Sequence, residues 1–233
     1  MEIQVFIISW KGVHTAAASI ERAARGAGFD THVVYSDPDP GFCLQVPGGV
    51  TRLEDTTYWS GKFDACLRAC RGQRMLVIHA DTSCDDWPEL IRRCLAVMQV
   101  RPDIGVWAPR IENAYFNLEN AAIRGPREGG LVTVANTDGI VFCLARREVD
   151  RMAAVDYARN TFGWGIAWLF CSSAYASGRM AVVDTRVEVR HRVGRGYDSG
   201  QALRMALRFL VRELHPRERV QFELLTRYVG RIF

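Results

Sequence analysis

Short apolar runs recur along the chain, each ending abruptly in polar residues, and they alternate with stretches whose apolar positions repeat at helical spacing. This alternation predicts strands and helices in turn, and so a sheet with helices packed on it. Ile3–Ser9 (IQVFIIS) reads as a first strand. In the segment from Thr15 to Ala27, Ala16, Ile20, Ala23, Ala24 and Ala27 share a helical face, with Gly26 and Gly28 where the helix should stop. Thr31–Ser36 supplies a second strand, closed by Asp37-Pro38-Asp39-Pro40, whose prolines forbid further ladder pairing. Gly41 to Thr57 shows no period and reads as a loop over the sheet end. Tyr58 to Cys70 reads as a helix with Phe63, Leu67 and Cys70 on one face and Lys62, Asp64 and Arg68 on the other.

The stretch from Arg74 to Trp87 is the one around which the chain is organised. Met75 to Ile78 is a buried strand, and His79, Ala80 and Asp81 lie where it meets solvent. Cys84-Asp85-Asp86-Trp87-Pro88-Glu89 carries the signals of a helix start, with the aspartates as caps and Pro in the first turn, and the helix should run to about Gln99, burying Leu90, Ile91, Leu95 and Met98. Ile104–Ala108 is another strand, followed by a polar segment from Arg110 to Asn120. Gly129-Gly130 marks a turn before Leu131–Ala135, and Asn136-Thr137-Asp138-Gly139 leads into a strand over Ile140–Leu144 and a helix from about Arg146. Thr161 to Trp168 precedes a helix that runs to about Ser177. Met180–Asp184 and Arg186–His191 read as two strands, the second ending on His191.

From Ser199 the pattern changes to two basic amphipathic helices. Arg204, Arg208 and Arg212 form a stripe on the first, among Leu203, Leu207, Phe209, Leu210, Val211 and Leu214. On the second, Leu224, Leu225, Tyr228, Val229 and Ile232 oppose Arg217, Gln221, Arg227 and Arg231. Packing on the preceding domain or on a second copy, giving a homo-oligomer, is one use for such helices; docking on an anionic membrane surface is the other.

Composition narrows the picture. With 233 residues, 48% of them hydrophobic, the chain can bury one substantial core, which predicts a domain over 1–197 and a helical appendage over 198–233. Met1 leads into a strand-like run without a basic leader, so no signal peptide is expected, and no apolar run approaches a membrane span. The seven cysteines are odd in number and lack Cys-x-x-Cys spacing, as expected of core residues in a reducing cytoplasm. Although the formal charge is +4, the arginines are interleaved with apolar helix faces, a pattern that does not suggest nucleic-acid binding. No Gly-x-Gly-x-x-Gly follows the first strand, which argues against a dinucleotide site.

The candidate chemistry sits at strand ends. His79 and Asp81 form half a site for a divalent metal or a ligand hydroxyl, and His191, also ending a strand, is a candidate partner for Asp81. Asp138, beside Gly139, is either a turn residue or a ligand contact. Trp164, between Gly163 and Gly165, is either a platform for a sugar ring or a core residue.

The VFIISWKG strand, Tyr35-Ser36-Asp37, VIHADT, Asn136-Thr137-Asp138-Gly139, FGWGI and the late His191, in this order over residues 3 to 197, together resemble bacterial glycosyltransferases of the GT-A fold in the inverting, family-2-like group. The resemblance implies an α/β fold with a GT-A-like, mostly parallel mixed sheet in a Rossmann-like three-layer arrangement. It implies a nucleotide-sugar donor over the first two strands, with Ser9, Tyr35, Asp37 and Lys62 bordering the nucleotide and diphosphate. The family's Asp-x-Asp motif falls on His79-Ala80-Asp81, so Asp81 and His191 would hold Mn²⁺ or Mg²⁺, with His79 replacing the first aspartate. Trp164 and Asp138 would face a saccharide or glycolipid acceptor in bacterial surface polysaccharide assembly. Relatives often carry an acid after Gly-Trp-Gly, where this chain has Ala167. The base then lies elsewhere, with Asp138 the first candidate; or catalysis has been lost and the chain only binds nucleotide sugars; or Ala167 is an inactivating substitution.

Overall fold

The computed structural model describes residues 2–112, 118–123, 129–191 and 197–229. One sheet is built from β1 (Ile3–Ser9), β2 (Asp30–Ser36), β3 (Gly49–Leu53), β4 (Arg74–His79), β5 (Thr82–Ser83), β6 (Ile104–Glu112), β7 (Leu131–Thr133), β8 (Val141–Ala145) and β9 (Met180–His191). Its order is β3-β2-β1-β4-β8-β6-β9-β5, with β7 also paired to β9. Strands β1, β2, β3, β4, β6 and β9 run one way, and β5, β7 and β8 oppose them. The helices are α1 (His14–Gly26), α2 (Trp59–Ala69), α3 (Trp87–Val100), α4 (Leu118–Ala121), α5 (Arg146–Ala153), α6 (Ile166–Ala176), α7 (Ser199–Glu213) and α8 (Pro216–Val229).

Alternation along each strand divides the core between the two faces of the sheet. In β1, Val5 and Ile7 join Ile20, Leu90, Ile91 and Trp107 under α1 and α3, whereas Phe6 and Ile8 join Phe63, Phe142 and Phe170 under α2, α5 and α6. With both faces covered, β1 and β4 need unbroken apolar runs, which is why they were legible as buried strands. The first crossover, α1, carries the chain from β1 to β2, and the chain then returns past β1 to place β4 on its other side. Strand order therefore reverses between β1 and β4, the position at which open α/β sheets bind ligands beyond their C-terminal strand ends. Ser9, Asp37, His79 and His191 all lie at that edge.

Several expectations need correcting. The segment Gly41 to Thr57 is not all loop, since Gly49–Leu53 pairs with β2 as an edge strand with no fully buried residue, which erased the apolar signal. The two late strands are one, β9, whose register against β6 shifts between Pro109 and Arg110, so the Asp184-Thr185-Arg186 break is an irregularity within a continuous strand. Lys62 does not face outward but is buried. Leu95 is only partly buried, and Cys94 and Val97 take its place in the core. Asp86 caps α3, accepting from the Glu89 N–H at 2.9 Å, while Asp85 pairs with Arg190 instead.

Helices α7 and α8 add Ala206, Phe209, Leu210 and Leu225 to the core on the α6 side. Arg151 of α5 fastens them, pairing with Glu218 at 2.7 Å and donating to the Glu213 carbonyl at 2.6 Å. Leu207, Val211, Val220, Leu224 and Tyr228 remain exposed. Arg231, Ile232 and residues 113–117 of the polar segment lie outside the described residues. No described helix is long and apolar enough to cross a membrane.

Candidate active site

Beyond β1 and β2 the polar groups satisfy one another. His14 Nε2 lies 3.0 Å from an Asp37 oxygen, and Ser9 Oγ lies 2.8 Å from His14 Nδ1. Because a carboxylate only accepts, Nε2 carries the proton of the neutral ring and Nδ1 receives the Ser9 hydroxyl. The Asp39 N–H, followed by the His14 ring, holds the Asp37 carboxyl below its ordinary pKa against the opposing effect of desolvation. Ser–His–Asp chains serve hydrolases, but Ser9 is fully buried and cannot reach a substrate carbonyl, so this chain positions Asp37.

The loop that carries Asp37 is held by Arg52 of β3. Its guanidinium donates to the carbonyls of Pro40 (2.8 Å), Phe42 (2.6 Å), Asp37 (3.3 Å) and Asp39 (2.6 Å). His14 stacks on Phe42 with ring centroids 4.6 Å apart. Tyr35 is also buried, its hydroxyl accepting from the Leu44 N–H, so Ser9 and Tyr35 support the site from beneath; Asp37 is itself 8% exposed and presents only a small part of its surface. Sequence reasoning missed His14 and Arg52. The one available signal was the Asp-Pro-Asp-Pro run, whose unpaired carbonyls need donors from elsewhere.

Beyond β1 and β4 the arrangement is the opposite. Lys62, one turn into α2, is buried with its ammonium 5.9 Å from the centre of the Trp10 ring, and it has no ion-pair partner among the described residues. Burial lowers its pKa to about 8, opposed only by the Asp55 charge. His79 receives the indole N–H of Trp59 on Nε2, so its neutral ring carries the proton on Nδ1 and offers a donor. Burial takes its pKa down to about 4, with Asp81 opposing. As long as Trp59 holds Nε2, that nitrogen is closed to a metal.

Asp81 and His191 do come together, Oδ2 to Nε2 at 3.2 Å, through the short pairing of β5 with the end of β9. Burial acts to raise the Asp81 carboxyl, but the hydrogen bond from His191 and the neighbouring imidazoles outweigh it and leave its pKa below the ordinary value. The second oxygen, Oδ1, is buried without a hydrogen-bond partner. Among the described residues no three acid, imidazole or thiol groups gather as a metal cage. The spare oxygen of the carboxylate fits a divalent ion that takes its remaining ligands from a bound diphosphate and water; the His191 ring, whose Nε2 donates to Asp81, can join it through Nδ1 or by giving up that hydrogen bond.

The third wall carries Asp138, Ala167 and Trp164. The His79 N–H donates to the Ile140 carbonyl, which sets the Asp138-Gly139 turn beside the end of β4. Gly139 has a φ of +71°, and a Cβ there would lie 3.4 Å from that of Ala167, so Asp138 is one residue from the point that faces Ala167. Gly163 (φ +78°) lies against the Trp59 indole, where any side chain would collide with the ring. Trp164 is half-buried, and its indole N–H donates to the Tyr197 hydroxyl at 2.9 Å.

No protein-family model and no curated protein sequence matches the chain. Solved structures do match in shape. A structure of GalNAc-T7 with UDP, GalNAc and Mn²⁺ superposes with a TM-score of 0.66 at 11% identity, covering 90% of this chain and 48% of that one. Residues 1–349 of TarS from S. aureus, in complex with UDP-GlcNAc, superpose with a TM-score of 0.64 at 12% identity over 98% of this chain and 72% of that one. A UDP-glucose pyrophosphorylase bound to UDP-glucose gives a TM-score of 0.55 at 11% identity over 91% of this chain and all of that one. This chain thus spans about half the length of the first of these. The fold is GT-A-like: a mixed α/β sheet, most of its strands parallel, flanked by helices.

Proposed function

We propose that the chain is a nucleotide-sugar-dependent glycosyltransferase, with the donor diphosphate lying between Lys62 and Asp81. The observation that carries this reading is Lys62, a buried ammonium with no ion-pair partner among the described residues, at the end of the sheet where strand order reverses. A buried charge costs several kcal/mol unless something compensates it (of order 20 by the idealised estimate), and a diphosphate is the compensating group that the site's other donors also suit. Structures of the same fold hold UDP or UDP-sugars, which supports the choice of ligand.

Asp37 would meet the nucleoside, with His14 fixing its direction. Lys62 and the Nδ1–H of His79 would approach the diphosphate oxygens, stabilising the charge that develops as the sugar-phosphate bond breaks. Asp81 and His191 would hold Mn²⁺ or Mg²⁺, which supplies Lewis-acid stabilisation of that leaving group. Asp138 would take the proton of the acceptor hydroxyl in an inverting displacement, replacing the acid absent at Ala167. Saccharide or glycolipid assembly at the bacterial surface is the proposed setting. The exposed Leu207, Val211, Val220, Leu224 and Tyr228, flanked by Arg204, Arg208 and Arg227, suit an anionic membrane face. Co-sedimentation with phosphatidylglycerol vesicles, lost on replacing Leu224 and Tyr228 by Asp, tests that placement.

Calorimetry with UDP- and GDP-sugars, with and without Mn²⁺, tests the main reading. Absence of binding by a folded sample would overturn it. The shared fold with a pyrophosphorylase makes product identity the second test, since release of a nucleoside diphosphate marks glycosyl transfer and release of pyrophosphate marks nucleotidyl transfer. Ala167 favours one other reading, a nucleotide-sugar-binding protein without turnover. It predicts donor binding with no transfer by the wild-type chain and a large gain in Ala167→Asp.

A further inference from the structure

A pocket of about 370 Å³ opens on the outer side of the α2 N-terminus, lined by Thr57, Tyr58, Asp64, Arg68, Asp156 and Thr161 among others. Its volume falls within the range of small-ligand sites. Tyr58 is 48% exposed on its wall, so part of its ring surface is open to a ligand in the pocket.

Tyr58 is also the outer end of an aromatic chain that leads back to the strand-end site. Its ring meets Phe162 edge-on at 5.3 Å, and Phe162 stacks on Tyr197 at 4.5 Å. Tyr197 in turn accepts from Trp164. Between Phe162 and Trp164, Gly163 packs on Trp59, the residue that donates to His79. The Ser60 N–H and hydroxyl both bond to the Thr161 carbonyl, at 3.4 and 3.1 Å, which ties the two sides of the pocket together. These contacts connect Tyr58 of the pocket to Trp164 and, through Gly163 and Trp59, to His79 at the end of β4.

We propose that this pocket is a second saccharide subsite, and that the acceptor is a chain of several sugars running from Trp164 to Tyr58. The chemistry matches that ligand class. Sugar rings present C–H faces that pack on exposed aromatic rings and hydroxyls that bond to carboxylates, guanidinium groups and hydroxyls. The pocket offers both kinds of surface: the Tyr58 ring, the Asp64–Arg68 pair (2.9 Å) at its rim, and Asp156, Thr57 and Thr161 around it. A lipid chain would find charged groups in that position, and a phosphate would meet two carboxylates.

The role as acceptor rests on the glycosyltransferase reading; saccharide binding by the pocket does not. The test is saturation-transfer NMR and calorimetry on the whole chain with chitotetraose, cellotetraose and maltotetraose, beside the corresponding monosaccharides. At least one tetrasaccharide is expected to bind at least tenfold more tightly than its monosaccharide. Tyr58→Ala should weaken that binding about tenfold, and Asp64→Asn severalfold. Tyr58 is exposed and the Asp64 side chain is partly exposed, and circular dichroism checks the fold of each variant. Failure of all three tetrasaccharides to bind, or equal binding by wild type and both variants, overturns the subsite. A separate UDP titration of the wild-type chain reports on the donor site, so loss of that reading is distinguishable from loss of this one.

Discussion

The ends of β1 and β2 and the ends of β1 and β4 are neighbours on one sheet edge, yet they treat polar groups in opposite ways. At the first, Ser9, His14, Asp37 and Arg52 bond to one another and to a loop, so the carboxylate is aimed before any ligand arrives. At the second, Lys62 is buried without an ion-pair partner among the described residues, one Asp81 oxygen has no hydrogen bond, and His79 is held neutral with a donor to spare. A satisfied network gives shape, whereas an unsatisfied one in a buried place is a cost to the empty fold that a ligand removes. The contrast favours the second region as the place where charge is received.

The largest effect expected from breaking the contrast is at Asp81. Asp81→Asn keeps the volume and removes the charge, and should reduce transfer and Mn²⁺-dependent UDP binding about a hundredfold, roughly 2.7 kcal/mol. Kinetics and calorimetry measure it, and a loss below threefold would show that the orphan oxygen is not a ligand.

Lys62→Met comes next, because it should move binding and stability in opposite directions. UDP affinity should fall about tenfold, while stability at pH 7 should rise by on the order of 1 kcal/mol as the buried charge is removed. The contribution of Lys62 to the pH dependence has a definite sign. Burial lowers the folded pKa to about 8 from an ordinary value of 10.5, so between these values the unfolded chain holds the extra proton and the Lys62 contribution to stability rises with pH, against the thiols Cys66, Cys70, Cys84, Cys94 and Cys171, whose pKa values, raised by burial, act the other way. UDP binding should weaken as pH rises through about 8, where the unliganded site loses its charge. Denaturant titrations of wild type and Lys62→Met from about pH 7 to about pH 10 isolate the first trend as the difference between the two chains, and in calorimetry the second trend should vanish in Lys62→Met.

His14→Ala should have the smallest effect on ligand. Removing the ring leaves Ser9 and Asp37 without their shared partner, for an expected loss of about 1 kcal/mol in stability and only a fewfold loss in UDP affinity. A loss of affinity as large as that of Lys62→Met would mean that the two regions do not divide the work in this way.

The sequence made one part of this contrast visible. Asp81 and His191 were legible because each follows an apolar run at the mouth of a strand, and parallel strands buried on both faces bring such ends to one edge. The capping of α3 and the turns at Gly139 and Gly163 were legible for the same local reason. His14 was not, because a histidine opening a helix has no periodic signature and its partner lies 23 residues away. Arg52 was hidden in an edge strand whose exposed positions blur the alternation.

Lys62 marks the boundary most clearly. Its helical phase placed it opposite Phe63 and Leu67, and only the packing of α2 beside Trp10 and the end of β4 encloses it. Period and composition determined the order of elements, the apolar faces and the strand ends, since these depend on neighbours in the chain. Which polar groups are buried, which are paired and which are left waiting depends on segments distant in sequence, and the tertiary structure alone decided that.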